Sequence, residues 1–338
     1  MNSVYSQWMK ALLLFISFFN ISGCKIKNWL YARKLLTPKK APLPVISVGN
    51  ISFGGTGKTP LVINLLSYLI KQGSKPALIS RGYRGKWEKE GGVLSDGKNI
   101  LTNWRNSGDE PFMVAQNTPQ AGIFIGKNRL LSCQKAKKMG FELAVLDDGF
   151  QHRRLHRDLD IVLYDPDEKT AFREPFSSLK RAQILLIKKG IDPSQKKVKK
   201  EGFPEVTIFE YSVKNEGFIR CGEKKREPAE MFKGKRVLAF CGIARPEKFL
   251  SFLQEQGIEP LFFFRFPDHY SYPLSSLEKI IAKFRKINGE MVITTEKDTV
   301  KIMKNKMFKE IPAYYLKIDL EVEDKFYLVF SQFLLNKV

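Results

Sequence analysis

Residues 52–59 read Ser52-Phe53-Gly54-Gly55-Thr56-Gly57-Lys58-Thr59, a glycine-rich turn that ends in a lysine and a hydroxyl. Gly54, Gly55 and Gly57 let the backbone fold tightly with its N–H groups directed at phosphate oxygens. Lys58 would place a cation near the β- and γ-phosphates of a nucleotide, and the Thr59 hydroxyl would ligate Mg²⁺. The match to the GxxxxGK[ST] phosphate loop is imperfect, because Ser52 stands where the first glycine belongs. A chance Lys-Thr beside a glycine turn is the competing reading. The position of the loop argues against it, since an apolar strand precedes it and an amphipathic helix follows, as the motif requires.

Two acid pairs could serve such a loop. Asp147-Asp148 ends the apolar run that begins at Leu143, and a carboxylate at a strand end beside a phosphate loop typically supports Mg²⁺. Gly149-Phe150-Gln151-His152-Arg153-Arg154 follows and packs an amide, an imidazole and two guanidiniums into one loop. That set suits phosphoryl transfer, in which catalysis is mostly positioning and charge stabilisation. Asp109-Glu110 is the second pair, and its spacing alone favours a helix N-cap with a first-turn glutamate. Arg173-Glu174 reads by itself as a loop ion pair. His269, within Phe266-Pro267-Asp268-His269-Tyr270, reads by itself as a structural histidine.

The elements that would hold these residues alternate between strand and helix. Strands are expected at 45–48, 76–80, 121–126, 143–148, 159–165 and 184–187, with helices after the phosphate loop, at 112–115 and at 127–138. Residues 86–108 read as a polar loop or hairpin. This rhythm implies a parallel sheet covered on both faces. Residues 206–222 read as a β-hairpin linker turning at Lys214-Asn215-Glu216-Gly217. A second α/β series then runs from 223 to 338. The expected architecture is therefore an α/β fold: an N-terminal segment (1–40), a P-loop NTPase-like parallel-sheet core (41–205), the hairpin linker, and a smaller C-terminal α/β domain.

The chain has 338 residues, with 57 Lys and Arg against 35 Asp and Glu, a net charge of +22. Such an excess points to anionic partners. The lysines are scattered and accompany no nucleic-acid-reading module, so a membrane surface or an anionic substrate is favoured over nucleic acid. The four cysteines form no CxxC pair, which fits a reducing compartment and excludes a disulfide scaffold or a zinc site. Ala11 to Phe19 is an apolar run of nine residues, short of the about 20 needed to span a bilayer. Trp8, Trp29, Tyr31, Arg33 and Lys34 flank it, as suits an interfacial helix on an anionic leaflet. A signal peptide is the rival reading, but only Lys10 precedes the run, and phosphate-loop chemistry belongs in the cytoplasm.

Taken together, VGNISFGGTGKTP (48–60), SRGY (80–83), GDEP (108–111), LDDGFQHRRLHRDLDIVL (146–163), REP (173–175), FPDHY (266–270) and TTEKDTVK (294–301) resemble the tetraacyldisaccharide 4'-kinase family, in that family's order. The resemblance spans most of the chain, and the family carries a hydroxyl residue at the position of Ser52. It implies a peripheral or monotopic enzyme of the cytoplasmic face of the bacterial inner membrane. That enzyme would transfer the ATP γ-phosphoryl group to the 4'-hydroxyl of a tetraacylated disaccharide 1-phosphate lipid and act as a monomer. The rival is a kinase or ATPase with a soluble substrate. By the resemblance, residues Ser52 to Thr59 bind ATP, with Lys58 on the phosphates. Thr59, Glu110 and Asp147 serve Mg²⁺, and Asp109 acts as base with His269 across a cleft that must close to join them. Asp148, Gln151, His152, Arg173 and Glu174 line the site. The segment before REP, Asp165 to Phe172, is shorter and more charged than the family's usual glycine- and proline-rich run.

Overall fold

The structure is a computed structural model and describes residues 22–52, 55–165, 172–190, 205–303 and 305–335. Ala11–Phe19, Phe53 and Gly54 lie outside the described residues, as do residues 166–171 ahead of Arg173.

Among the described residues thirteen strands form one sheet. In chain order they are β1 (Val45–Asn50), β2 (Pro76–Ser80), β3 (Gly92–Asp96), β4 (Gly122–Ile125), β5 (Leu143–Asp147), β6 (Leu159–Tyr164), β7 (Ile184–Lys188), β8 (Thr207–Arg220), β9 (Arg226–Glu227), β10 (Val237–Cys241), β11 (Phe262–Arg265), β12 (Met291–Thr295) and β13 (Ala313–Val322). The order across the sheet is β11-β10-β12-β13-β8-β7-β6-β1-β5-β2-β4-β3, with β9 paired to β8. From β7 to β4 every pairing is parallel, and β3 closes that edge antiparallel. β10 to β13 form a second parallel group.

The strands β1, β2, β4 and β6 are buried at every position. That is the consequence of helices on both faces, and it is why these strands read as apolar runs rather than alternations. The helix Lys58–Lys71 buries Leu61, Val62, Leu65, Leu66 and Leu69, the i, i+3, i+4 stripe that its sequence displays. The C-terminal helix Asp324–Leu335 packs on the same cluster through Phe326 and Phe330, with Tyr327 4.8 Å from Tyr68 between ring centroids.

Residues 206–222 do not form a hairpin. Thr207 to Arg220 is one strand of 14 residues, parallel to β7 at its start and antiparallel to β13 along most of its length. The connection between the two halves is two-stranded, but its strands are β8 and β13, a hundred residues apart in the chain. The expected turn at Lys214–Gly217 is a β-bulge. Asn215 Oδ1 accepts from the Gly217 N–H at 2.8 Å and Gly217 takes φ +91°, while the β13 register slips between Leu316 and Ile318. Asn and Gly serve a bulge as well as a turn, and only the partner strand tells the two apart.

Residues 86–108 are likewise more ordered than a loop. They contain the short helices Trp87–Glu90 and Trp104–Ser107 and the edge strand β3. No described helix is long and apolar enough to cross a membrane. The helix at 22–32 exposes Ile26 and Trp29, and Leu35 just beyond it is exposed as well.

Candidate active site

The C-terminal ends of β1, β2 and β5 meet the second half of the chain across a cleft of about 1700 Å³. The phosphate loop lies on one wall. Gly57 is the N-cap of the helix that follows, with φ +87° in the left-handed region where only glycine is at ease. A Cβ there would also lie 2.6 Å from Leu320 Cδ1. Thr56 is pinned from two sides: Asn50 Nδ2 donates to its hydroxyl at 3.1 Å, and the Tyr211 hydroxyl donates to its carbonyl at 3.0 Å. Tyr211 belongs to β8, so the connecting strand buttresses the loop. Lys58 Nζ lies 3.4 Å from Asp148 Oδ1, and Arg173 Nη1 lies 2.6 Å from Asp148 Oδ2.

Asp147 and Asp148 leave β5 in opposite electrostatic states. Burial pushes the Asp147 carboxyl up, and the neighbouring Glu110 and Asp148 push it further, against Lys58 and Arg129. Burial also raises Asp148, but Lys58 and Arg173 outweigh it and hold that carboxyl well below the usual range. Asp148 has φ +52°, a conformation in which Asp is tolerated better than most residues. Glu110, Asp147 and Asp148 thus stand close enough for the first and last to raise the buried Asp147, with Lys58, Arg129, Arg173 and Lys297 beside them. Together with the Thr59 hydroxyl these carboxylates offer hard oxygen donors, which fits Mg²⁺.

Asp109 and His269 line the same cleft. Gly108, with φ +86° and ψ 159°, starts the helix Asp109–Asn117 and turns Asp109 inward. That backbone region is almost exclusive to glycine, and a Cβ on Gly108 would lie 2.9 Å from the Tyr83 carbonyl. Asp109 is the first residue of the helix rather than its cap. His269 Nδ1 lies 2.9 and 3.0 Å from its two carboxylate oxygens. Burial raises the Asp109 carboxyl, but the His269 hydrogen bond and the ammonium groups of Lys297 and Lys301 outweigh it and hold it well below the ordinary range. The two residues are therefore already in contact, and no closing motion is needed to join them. Asp109, Glu110 and His269 also bring potential ligand atoms within 4.8 Å of one another. Lys301 Nζ lies 2.9 Å from Asp109 and Lys297 Nζ 3.0 Å from Glu110, so lysines supply the positive charge in that cluster.

Gln151 and His152 line the cleft, and Gln151 Nε2 donates to the Asn50 carbonyl at 2.7 Å, tying the loop to the end of β1. Glu174 is placed elsewhere. It is buried, outside the cleft lining, with its carboxylate 2.8 Å from Arg181. Burial, then Arg129 and Lys27, push His152 down to about 4. Its folded value lies below its unfolded one, so the folded state binds fewer protons between the two. Stability from this group is complete above about pH 6.5 and is lost as the pH falls from there toward 4. The melting temperature should decline over that interval, and His152→Gln should flatten the decline. An unchanged slope in the variant would refute the assignment.

A family model described as tetraacyldisaccharide-1-P 4'-kinase matches residues 9–335. The chain belongs to the tetraacyldisaccharide 4'-kinase family. It is 37% identical over 306 residues to the tetraacyldisaccharide 4'-kinase of Desulfotalea psychrophila, covering 86% of each chain. It is 34% identical over 336 residues to that of Syntrophus aciditrophicus, covering 93% of this chain and 90% of that one. Among solved structures it is similar to LpxK from Aquifex aeolicus in complex with ATP, with a TM-score of 0.76 and 29% identity, covering 97% of this chain and 99% of the other.

Three cations at this family member's site, Arg129 and Lys297 in the cleft lining and Lys301 buried behind Asp109, were not singled out by residue type or spacing. Lys297 and Lys301 fall in the TTEKDTVK string, where a four-residue spacing after a strand was the available signal for one helix face. Arg129, nearly buried beside Asp147 and Asp148, comes from the helix Arg129–Lys138. Nothing in its local sequence distinguishes it from the lysines around it.

Proposed function

We propose that this protein transfers the γ-phosphoryl group of ATP to the 4'-hydroxyl of a tetraacylated disaccharide 1-phosphate lipid, the lipid A precursor. The observation that carries this reading is a phosphate loop and a buried acid lining one cleft: Lys58 and Thr59 on the loop, and Asp109 held by His269 from the other half of the chain. The family match and the ATP-bound relative support the same reaction.

The loop and Lys58 bind the β- and γ-phosphates, with Arg173 and Arg129 adding positive charge nearby. Thr59, Glu110 and Asp147 hold Mg²⁺, which when bound neutralises charge on the transferring phosphate. Asp109 orients the acceptor hydroxyl and takes its proton as the oxygen–phosphorus bond forms and the bond to the departing ADP breaks. A carboxylate has about four lone-pair sites. The His269 ring N–H and the Glu110 backbone N–H donate to the Asp109 carboxylate, and the Lys301 ammonium pairs with it at 2.9 Å, which leaves acceptor capacity for a hydroxyl. A strongly acidic carboxyl is a weak base. In a loose phosphoryl-transfer transition state the proton moves late, so holding the hydroxyl in line matters more than basicity.

The exposed Ile26, Trp29 and Leu35, with Arg33 stacked 5.8 Å over Trp29, support a membrane-facing N-terminal segment and peripheral binding at the cytoplasmic face of the inner membrane. The proposed chemistry uses residues of a single chain and calls on no partner subunit. The test is incubation with γ-labelled ATP and the disaccharide 1-phosphate lipid in detergent micelles, followed by lipid chromatography. Label in the lipid is the expected result. Label released only as inorganic phosphate, with none in the lipid, would overturn the proposal in favour of an ATPase or a kinase of soluble substrates.

A further inference from the structure

The helix Glu296–Ile302 carries the TTEKDTVK lysines, which so far enter the chemistry only as positive charge beside Asp109 and Glu110. It starts directly after β12, capped by the Thr295 side chain, which accepts from the Asp298 N–H. Asp298 in turn accepts from the Gly242 N–H at 2.9 Å and the Thr295 hydroxyl at 2.7 Å. The Gly242 carbonyl accepts from the His269 backbone N–H at 3.1 Å. One rigid unit therefore carries both the lysines and the histidine.

Lys297 and Lys301 stand one turn apart on the same face of this helix, with side chains 15% and 1% exposed. They meet the two ends of the Asp109–His269 pair. Lys301 Nζ lies 2.9 Å from Asp109 Oδ2 and 3.5 Å from Asp298 Oδ1. Lys297 Nζ has three neighbours within hydrogen-bond distance: Glu110 Oε1 at 3.0 Å, Asp268 Oδ1 at 3.1 Å and His269 Nε2 at 3.2 Å.

We propose that Lys297 and Lys301 are positioning residues that fix the hydrogen-bond direction through the pair: Lys297 donates to His269 Nε2, His269 Nδ1 donates to Asp109, and Lys301 holds the other end of that carboxylate. An ammonium has three N–H donors and no acceptor, and Lys297 meets three acceptors. Nε2 must then present its lone pair, which places the ring proton on Nδ1, opposite a carboxylate that can only accept. The reverse tautomer fails at both ends, because an Nε2–H would face the ammonium and a bare Nδ1 would face the carboxylate. Asp268 Oδ2, the other acceptor near Nε2, is 3.6 Å away, beyond hydrogen-bond distance.

The consequence is that His269 orients Asp109 rather than taking a proton itself. Each lysine also ties a residue of the phosphate-loop half to the other half, Lys297 through Glu110 and Lys301 through Asp109. The inference rests on Asp109 as the accepting acid, and its test separates the two.

The full chain is labelled with ¹⁵N-histidine in detergent micelles, and long-range ¹H–¹⁵N spectra identify the tautomer. His269 is assigned by the signal lost in His269→Gln. The wild type should show a protonated Nδ1 and a bare Nε2. Lys297→Met should abolish that pattern and lower kcat by about 10–100-fold, with a smaller change in KM for ATP. Lys301→Met should lower kcat with the tautomer intact. A wild type with its proton on Nε2 overturns the proposal whether or not the variants fold. So does a Lys297→Met enzyme that keeps both the wild-type pattern and the wild-type kcat. If the wild-type pattern is as expected and Asp109→Asn retains full turnover, the hydrogen-bond direction stands and the assignment of the base fails.

Discussion

Replacing Asp109 by asparagine is expected to slow phosphoryl transfer to the lipid by about 10²–10⁴-fold, the range for a positioned general base, with Mg-ATP binding retained. Asparagine has nearly the shape of aspartate but cannot accept the hydroxyl proton. Its amide N–H₂ would also face donors, because the Asp109 carboxylate is met by His269 Nδ1, Lys301 Nζ and the Glu110 N–H. Asp109 is 4% exposed, so the loss is not screened by water. The Lys301 ammonium, itself buried, would keep only Asp298 at 3.5 Å. Removing one partner of a buried pair typically costs about 3–5 kcal/mol, and the remaining carboxylate places this case toward the lower end. Rates should therefore be compared below the variant's own melting transition, alongside a nucleotide titration. Turnover close to the wild type would rule out Asp109 as the base.

Lys58→Met should lower kcat/KM by about 10²–10³-fold, the loss typical of removing one preorganised group that stabilises developing charge. Methionine keeps much of the apolar stem of the lysine while deleting the charge. The expected effect on folding is small. Lys58 and Asp148 are 14% and 39% exposed, and Asp148 keeps Arg173 at 2.6 Å, so its carboxylate is not left unpaired. The Asp148 carboxyl should rise toward its ordinary range once Lys58 no longer offsets its burial. Lys58→Arg is not expected to restore activity, because a planar guanidinium does not replace a compact ammonium inside a tight loop. Titrating ATP against the variant and measuring lipid phosphorylation over a range of ATP concentrations checks both parts. Wild-type kinetics at saturating ATP would mean that Lys58 contributes only to nucleotide binding.

Each variant removes charge from a different part of the cleft. Asp109→Asn should spare nucleotide affinity, whereas Lys58→Met should impair nucleotide binding and turnover together. A double variant no slower than the worse single one would indicate that the two residues act as a unit.

Much of the first half was legible in the residues. Buried parallel strands are continuous apolar runs, so β1, β2, β4, β5, β6 and β7 announce themselves. The phosphate loop is a local motif: Gly57, Lys58 and Thr59 act through a strand, a turn and a helix N-terminus that are adjacent in the chain. Asp147 was visible for the same reason, as a carboxylate at the end of an apolar strand.

What depends on distant partners was not legible. Residues 206–222 carry the composition of a hairpin, and whether Asn215 and Gly217 make a turn or a bulge depended on β13, which arrives a hundred residues later. Asp109 alone looks like a helix cap. It becomes a candidate base because Gly108 turns it inward and because His269, 160 residues away, meets it at 2.9 Å. Glu174, adjacent in sequence to the cleft residue Arg173, lies outside the cleft lining and pairs with Arg181 instead. By itself the sequence determined the nucleotide loop and its strand-end carboxylate, since those contacts are made within short stretches of chain. Only the tertiary structure decided which acid faces which histidine and which lysines hold them, because hydrogen-bond partners across a cleft are set by the packing of whole elements and leave no local pattern.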